Sequence, residues 1–147
     1  MYQRILIATD GSTLSRKAID SGIELAALTG AQIVAFKVVP RYPMSYFEGG
    51  MAIPMSQVAS VEKQWSDAAL AVVEKVKANA EARGIKAKAV TKISDLVADS
   101  IIAAAKKNKC DLIVMASHGR RGIKRVLLGS ETMQVLTHSH IPVLVLR

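Results

Sequence analysis

Short apolar runs alternate along this chain with longer stretches of helical periodicity, and that alternation leaves few folds open. Gln3 to Ala8 (QRILIA) reads as a buried strand, and Gln32 to Val39 (QIVAFKVV) is apolar at most positions, as a parallel strand covered on both faces must be. Ile85 to Ile93 (IKAKAVTKI) alternates like a half-exposed strand; Leu112 to Met115 and Pro142 to Leu146 complete the set. Between them lie helical segments at about Thr13–Leu28, Met55–Arg83, Leu96–Lys107 and Glu131–His138. Ser12 is placed to cap the first helix and Thr29-Gly30 to end it. Gly84 ends the second, and Ser94 or Asp95 is placed to cap the third. In the second helix Val58, Val61, Trp65, Ala68, Ala69, Val72, Val73 and Val76 form one apolar stripe, so Trp65 is expected in the core.

Strict alternation of strand and helix implies an α/β fold: a parallel sheet with helices on both faces and right-handed crossovers. Ligands of such sheets sit beyond the carboxyl ends of the strands, where the winding reverses. The first and fourth strands are natural neighbours there. Thr9-Asp10, Lys37-Val38-Val39 and Ala116-Ser117-His118-Gly119 are therefore expected to meet at one crevice.

The stretch DLIVMASHGRRGIKRVLLGS, Asp111 to Ser130, suits that crevice to an anion. A strand runs into a loop carrying Gly119, Gly122 and Gly129, with Arg120, Arg121, Lys124 and Arg125 between them and no acid from Leu112 to Ser130. Glycines admit main-chain N–H groups to a ligand, and a helix start leaves unpaired donors and partial positive charge. The plainer alternative makes Ser130 an ordinary cap and the cations a solvated face.

The length of 147 residues fits one domain, residues 1–147. The formal charge of +8 invites nucleic acid, but most of the excess is scattered and aromatics are only 4%, so a base-stacking platform is poorly supported. No apolar run approaches a membrane span, and the start lacks the pattern of a signal peptide. With one cysteine, Cys110, set before a strand as a small filler, the expected compartment is the cytoplasm. Pro40 to Pro54 holds three of the four prolines together with Tyr42, Met44, Tyr46, Phe47 and Met51; it reads either as a lid or contact surface, or as a loop without a role.

Taken together, ILIATDGS at the start, HIPVLVLR at the end, and the spacing Ala116-x-x-Gly119-x9-Gly129-Ser130 closely resemble the universal stress protein family over essentially the whole chain. The nucleotide-binding branch of that family carries G-x-x-G-x9-G-[ST] after its fourth strand; here the first glycine is Ala116. The resemblance implies an open, Rossmann-like five-stranded sheet of order 3-2-1-4-5, akin to the adenine nucleotide alpha hydrolases. It also implies a homodimer that binds ATP, ADP or AMP, with or without Mg²⁺. Carried over residue by residue, Asp10 and the main chain of Val38 would hold the adenine and its neighbourhood, with Thr9 shaping the turn. Ala116, after Met115, would line the ribose, and Gly119, Gly129, Ser130 and the N–H of Glu131 would hold ribose and phosphates, with His118 and Arg120 beside them. The methyl of Ala116 would narrow the approach to the ribose, with binding weakened or retained but not abolished.

Hydrolysis has little support in the residues. There is no G-x-x-x-x-G-K-[ST] loop, no G-x-G-x-x-G fingerprint and no SGGxDS-type loop of the related ATP pyrophosphatases. His138-Ser139-His140 lacks a third ligand for a metal. The expected function is thus a nucleotide-binding regulatory module rather than an enzyme. A slow ATPase and a nucleotide-independent partner-binding module are the alternatives. The apolar run 141–146, an edge strand in the implied order, would pair with its own copy about a two-fold axis.

Overall fold

The computed structural model describes residues 1–43, 54–118 and 128–147. Within them lie β1 (Arg4–Ala8), α1 (Thr13–Thr29), β2 (Gln32–Val39), α2 (Met55–Glu81), β3 (Ala87–Ile93), α3 (Val97–Lys107), β4 (Leu112–Ala116), α4 (Ser130–His138) and β5 (Val143–Leu146). The five strands form a single parallel sheet of order β3-β2-β1-β4-β5, as expected.

Period-two alternation in the central strands decides which helix covers which face. Ile5 and Ile7 of β1, Ile33 of β2 and Leu112 and Val114 of β4 pack with Ala18, Ile23 and Ala26 of α1 and Ala80 of α2. The intervening residues, Leu6, Val34, Phe36, Ile113 and Met115, pack on the other face with Ile101, Ile102 and Ala105 of α3 and Val135 of α4. Burial of β1, β2 and β4 from both sides explains why their sequences are nearly continuous apolar runs.

Local chemistry sets the ends of most elements. Ser12 caps α1, its hydroxyl accepting from the Ser15 N–H, and Gly30 at φ +72° stops the helix in the left-handed conformation. α2 ends at Glu81 rather than Arg83, because Ala82 to Gly84 already form a turn that Gly84 closes at φ +74°. Strand β1 begins at Arg4, not Gln3; the Gln3 N–H donates to the Asp111 carboxylate at 2.8 Å instead of to the ladder.

Two expectations need correction. Neither Ser94 nor Asp95 caps α3: Leu96 occupies the cap position with no side-chain bond. The Ser94 hydroxyl accepts from the Leu96 N–H at 3.0 Å, and the Asp95 carboxylate accepts from the Arg41 N–H at 3.2 Å. The first-turn amide of Ala98, a buried residue, is served from another helix, by the Glu131 carboxylate at 3.0 Å. Nor does Trp65 enter the core. It is half-buried and stacked on Tyr42 with ring centroids 6.0 Å apart, while Ala69, Val73 and Val76 of the same stripe are buried.

Helix α1 approaches the sheet most closely at Gly22. A Cβ there would lie 2.6 Å from Cδ1 and 2.9 Å from Cγ1 of Ile7, a side chain with no exposed surface and so no room to retreat. Gly22→Ala should cost about 1–3 kcal/mol in overpacking, offset by roughly 1 kcal/mol of better helix propensity. Denaturant unfolding should show a lower midpoint with an unchanged slope. Adding Ile7→Val, which removes the nearest atom, should cost less than the sum of the two single changes.

Candidate functional site

At the carboxyl end of β1 the chain turns through a chain of hydroxyls. The Thr9 N–H continues the ladder to the Phe36 carbonyl at 3.0 Å. Ser15 donates its hydroxyl proton to the Ser12 carbonyl at 2.8 Å, so the 2.9 Å contact between the Thr9 and Ser15 hydroxyls must run from Thr9 to Ser15. The Thr9 oxygen in turn accepts from the Gly11 N–H at 3.1 Å. Thr9 is therefore buried and fully engaged in shaping the turn, which suits the minor role expected of it. Gly11 holds φ +79°, and the Asp10 carboxylate accepts from the Ser12 N–H at 2.8 Å. From β2, the Lys37 ammonium donates to the Asp10 main-chain carbonyl at 3.1 Å, fastening the two strand ends together.

A second set of bonds builds the opposite wall, where β4 meets α4. Gly129 donates its N–H to the Ser117 carbonyl at 2.7 Å. Thr132, buried in the first turn of α4, aims its hydroxyl at the carbonyls of Ala116 (3.0 Å) and Ser117 (3.2 Å). The Ser117 hydroxyl and His118 Nδ1 lie 3.0 Å apart. Gly129 has φ −67° and ψ 155°, open to any residue, so glycine is needed there for space. An added Cβ would sit 3.2 Å from the Ser117 oxygen and 3.5 Å from His118 Cα.

Ser130 is not the cap residue of α4. Gly129 holds the cap position, and no side chain caps the helix. The first helical bond runs from the Met133 N–H to the Gly129 carbonyl at 3.0 Å. The amides of Ser130, Glu131 and Thr132 precede it and have no acceptor within the helix. The Glu131 carboxylate, which could have folded back on them, is engaged with Ala98 of α3.

Between the walls opens a cleft of about 710 Å³. Every described residue that the sequence assigned to a site borders it: Thr9, Asp10, Val38, Met115, Ala116, His118, Gly129, Ser130 and Glu131. Asp10 and Ser130 thus share one cavity. Gly119 and Arg120, with the other cations of that loop, lie outside the described residues, as does most of the 40–54 loop. Lys37, expected at the crevice as part of the β2 end, borders it too; Ser94, Asp95, Thr132 and the apolar floor of Phe36, Val97 and Ile101 were not foreseen there. The periodicity of β2 and α3 marks that floor as core; only its position at the carboxyl edge exposes it to the cleft. A second hollow of about 280 Å³ shares Asp10, Lys37, Val38 and Pro40 with the cleft and is walled by Gly11, Trp65, Ala68 and Val72.

Comparison with known proteins agrees with this geometry. The universal stress protein family matches residues 1–147. The chain belongs to the universal stress protein family. Universal stress protein MJ0531 of Methanocaldococcus jannaschii is 34% identical over 100% of this chain and 83% of its own length. Among solved structures, that of MJ0577 superposes with a TM-score of 0.84 at 26% identity, covering 99% of this chain and 96% of that one. A universal stress protein solved in complex with cAMP has the same fold, with a TM-score of 0.71 at 24% identity over 99% and 97% of the two chains. Two more distant ones share the fold at 16% identity, one from Arabidopsis thaliana with AMP bound (TM-score 0.67, 98% and 90% covered) and one from Archaeoglobus fulgidus with dAMP (0.63, 99% and 98%).

Cys110 lies outside this site. It is buried, and that burial pushes its thiol from an ordinary 9.0 up to about 11. Alkylation of the native protein should be slow at pH 8 and accelerate as the pH approaches 11. The unfolded thiol ionises first, so the stability that the thiol contributes below pH 9 should be lost between about pH 9 and 11, in wild type but not in Cys110→Ala. At the seam between β4 and α4, Thr132→Val keeps the shape but takes the hydroxyl donor from the Ala116 carbonyl and leaves the Ser117 carbonyl to the Gly129 N–H. A loss of about 1–2 kcal/mol in thermal or denaturant unfolding is expected.

Proposed function

We propose that this universal stress protein is a cytoplasmic adenine-nucleotide-binding regulatory module, taking ATP, ADP or AMP and turning it over little. The observation that carries this reading is the convergence of Asp10, Val38, Ala116 and the uncapped start of α4 on one cleft. Its volume lies within the roughly 300–1,000 Å³ usual for small-molecule sites. The apolar floor of Phe36, Val97, Ile101 and Met115 suits a base. The amides of Ser130, Glu131 and Thr132, at the positive end of α4, suit a phosphate. Gly129 keeps that end tight against β4. The Glu131 carboxylate is turned to the Ala98 N–H of α3 and so does not occupy these amides itself. Where Mg²⁺ accompanies ATP, it would neutralise phosphate charge; the residues named here bind the nucleoside and orient the phosphates.

Titration calorimetry with ATP and AMP tests this reading. Wild type should bind; Gly129→Ala should bind about tenfold more weakly, a loss of ~1.4 kcal/mol, because its methyl drives the start of α4 away from Ser117. Ala116→Gly should bind more tightly, having lost the methyl that narrows the cleft. No heat at millimolar nucleotide would remove the nucleotide reading. Incubation with ATP and Mg²⁺ should show little product; clear turnover lost in Ser130→Ala would establish the slow-enzyme alternative.

We also propose that β5 pairs with its own copy. It is an edge strand, VLVL, with Leu144 exposed, and an uncovered apolar edge favours a second strand. Sedimentation at micromolar concentration should show a dimer that Leu144→Lys shifts to monomer.

A further inference from the structure

The opposite edge of the sheet has the reverse character. Among the described residues, strand β3 pairs only with β2. The Ile33 N–H donates to the Lys86 carbonyl and the Ser94 N–H to the Val39 carbonyl, both at 2.9 Å, so even-numbered residues of this segment turn their main chain toward β2. The odd-numbered ones, Ala87, Ala89, Thr91 and Ile93, turn theirs outward, and no described residue covers them. Side chains of the even set face α3: Val90 packs on the core beneath that helix, and the Lys88 ammonium donates to Asn108 Oδ1 at 3.2 Å. That bond draws Lys86 and Lys88 beside the end of α3, where Lys106, Lys107 and Lys109 are exposed and Arg4 holds the Asn108 carbonyl at 2.7 Å. None of these cations makes an ion pair among the described residues. The one acid amid them, Asp111, is engaged by the N–H groups of Gln3 and Arg4.

We infer that the β3 edge is a docking site for an acidic, extended segment of another protein, which adds as a sixth strand. The outward N–H and C=O groups of Ala87 to Ile93 would supply the main-chain bonds, and Lys86, Lys88 and Lys106 would read alternate acidic side chains. A second copy of this chain does not fit, because it would bring lysines against lysines. Nucleic acid fits less well: the patch has no aromatic ring to stack on a base and depends on lysines rather than on arginine forks.

A labelled decapeptide of alternating glutamate and valine, titrated into the full chain by fluorescence anisotropy, tests this. It should bind, weaken as salt is raised, and slow amide hydrogen exchange at Ala87, Ala89 and Thr91 but not in α3. Lys88→Glu combined with Lys106→Glu should weaken binding at least tenfold with an unchanged unfolding midpoint. Ala89→Pro, which removes an outward donor that β2 does not use, should also abolish binding, with nucleotide affinity retained as the check on folding. Binding without exchange protection on β3, equal binding of a lysine–valine peptide, or equal affinity for duplex DNA or phosphatidylglycerol vesicles would overturn the inference.

Discussion

Three strands buried on both faces leave their chain ends as the only places where polar chemistry can be exposed. Ile5, Leu6, Ile7, Ile33, Ile113 and Val114 have almost no solvent contact, so β1, β2 and β4 are committed to the centre of the sheet. Their order then brings the ends of β1 and β4 side by side. The cleft is the seam between them. It stays open because each wall satisfies its own polar groups: a chain of hydroxyls through Thr9, Ser15 and Ser12 on one side, and the Gly129 amide and Thr132 hydroxyl on the β4 carbonyls on the other. Several of these acceptors take two donors, the Ser12 carbonyl from the Ser15 N–H and hydroxyl and the Ser117 carbonyl from Gly129 and Thr132, which holds each wall firmly in place.

Much of this was legible in the residues. Strand β2 falls on the expected span because Gly30 and Pro40 bracket a run whose only charged residue is Lys37. The positions around Asp10, Val38, Ala116 and Gly129 could be assigned to one crevice because strand ends are fixed by topology. What escaped depended on long-range partners. The start of α3 offered Ser94 and Asp95 as local caps, yet its amide is taken by Glu131, 33 residues away. Trp65 obeyed the helical stripe, but its side chain meets Tyr42 and a hollow instead of the core. Lys37 and Thr132 carried no motif; their importance is visible only once the carbonyls they bind are brought near.

The two sheet edges follow one constraint in opposite ways. An outermost strand must leave one row of main-chain groups unpaired, and side chains decide what can approach that row. At β5 they are valine and leucine; at β3 every second residue near the α3 side is lysine apart from Val90. Much of the net charge of +8 is thereby concentrated at one flank of the molecule, so an excess that looked scattered in the sequence is assembled by the fold.

The hydrogen bond from Ala98 to Glu131 also ties α4 to α3. Both helices begin at the mouth of the cleft, and both lie on the same face of the sheet. A shift of the α4 start must either stretch that bond or carry the first turn of α3 with it. The far end of α3 is Lys106 to Lys109, beside β3. Three turns of α3 thus run from the mouth of the cleft to the basic flank, so a single helix borders both.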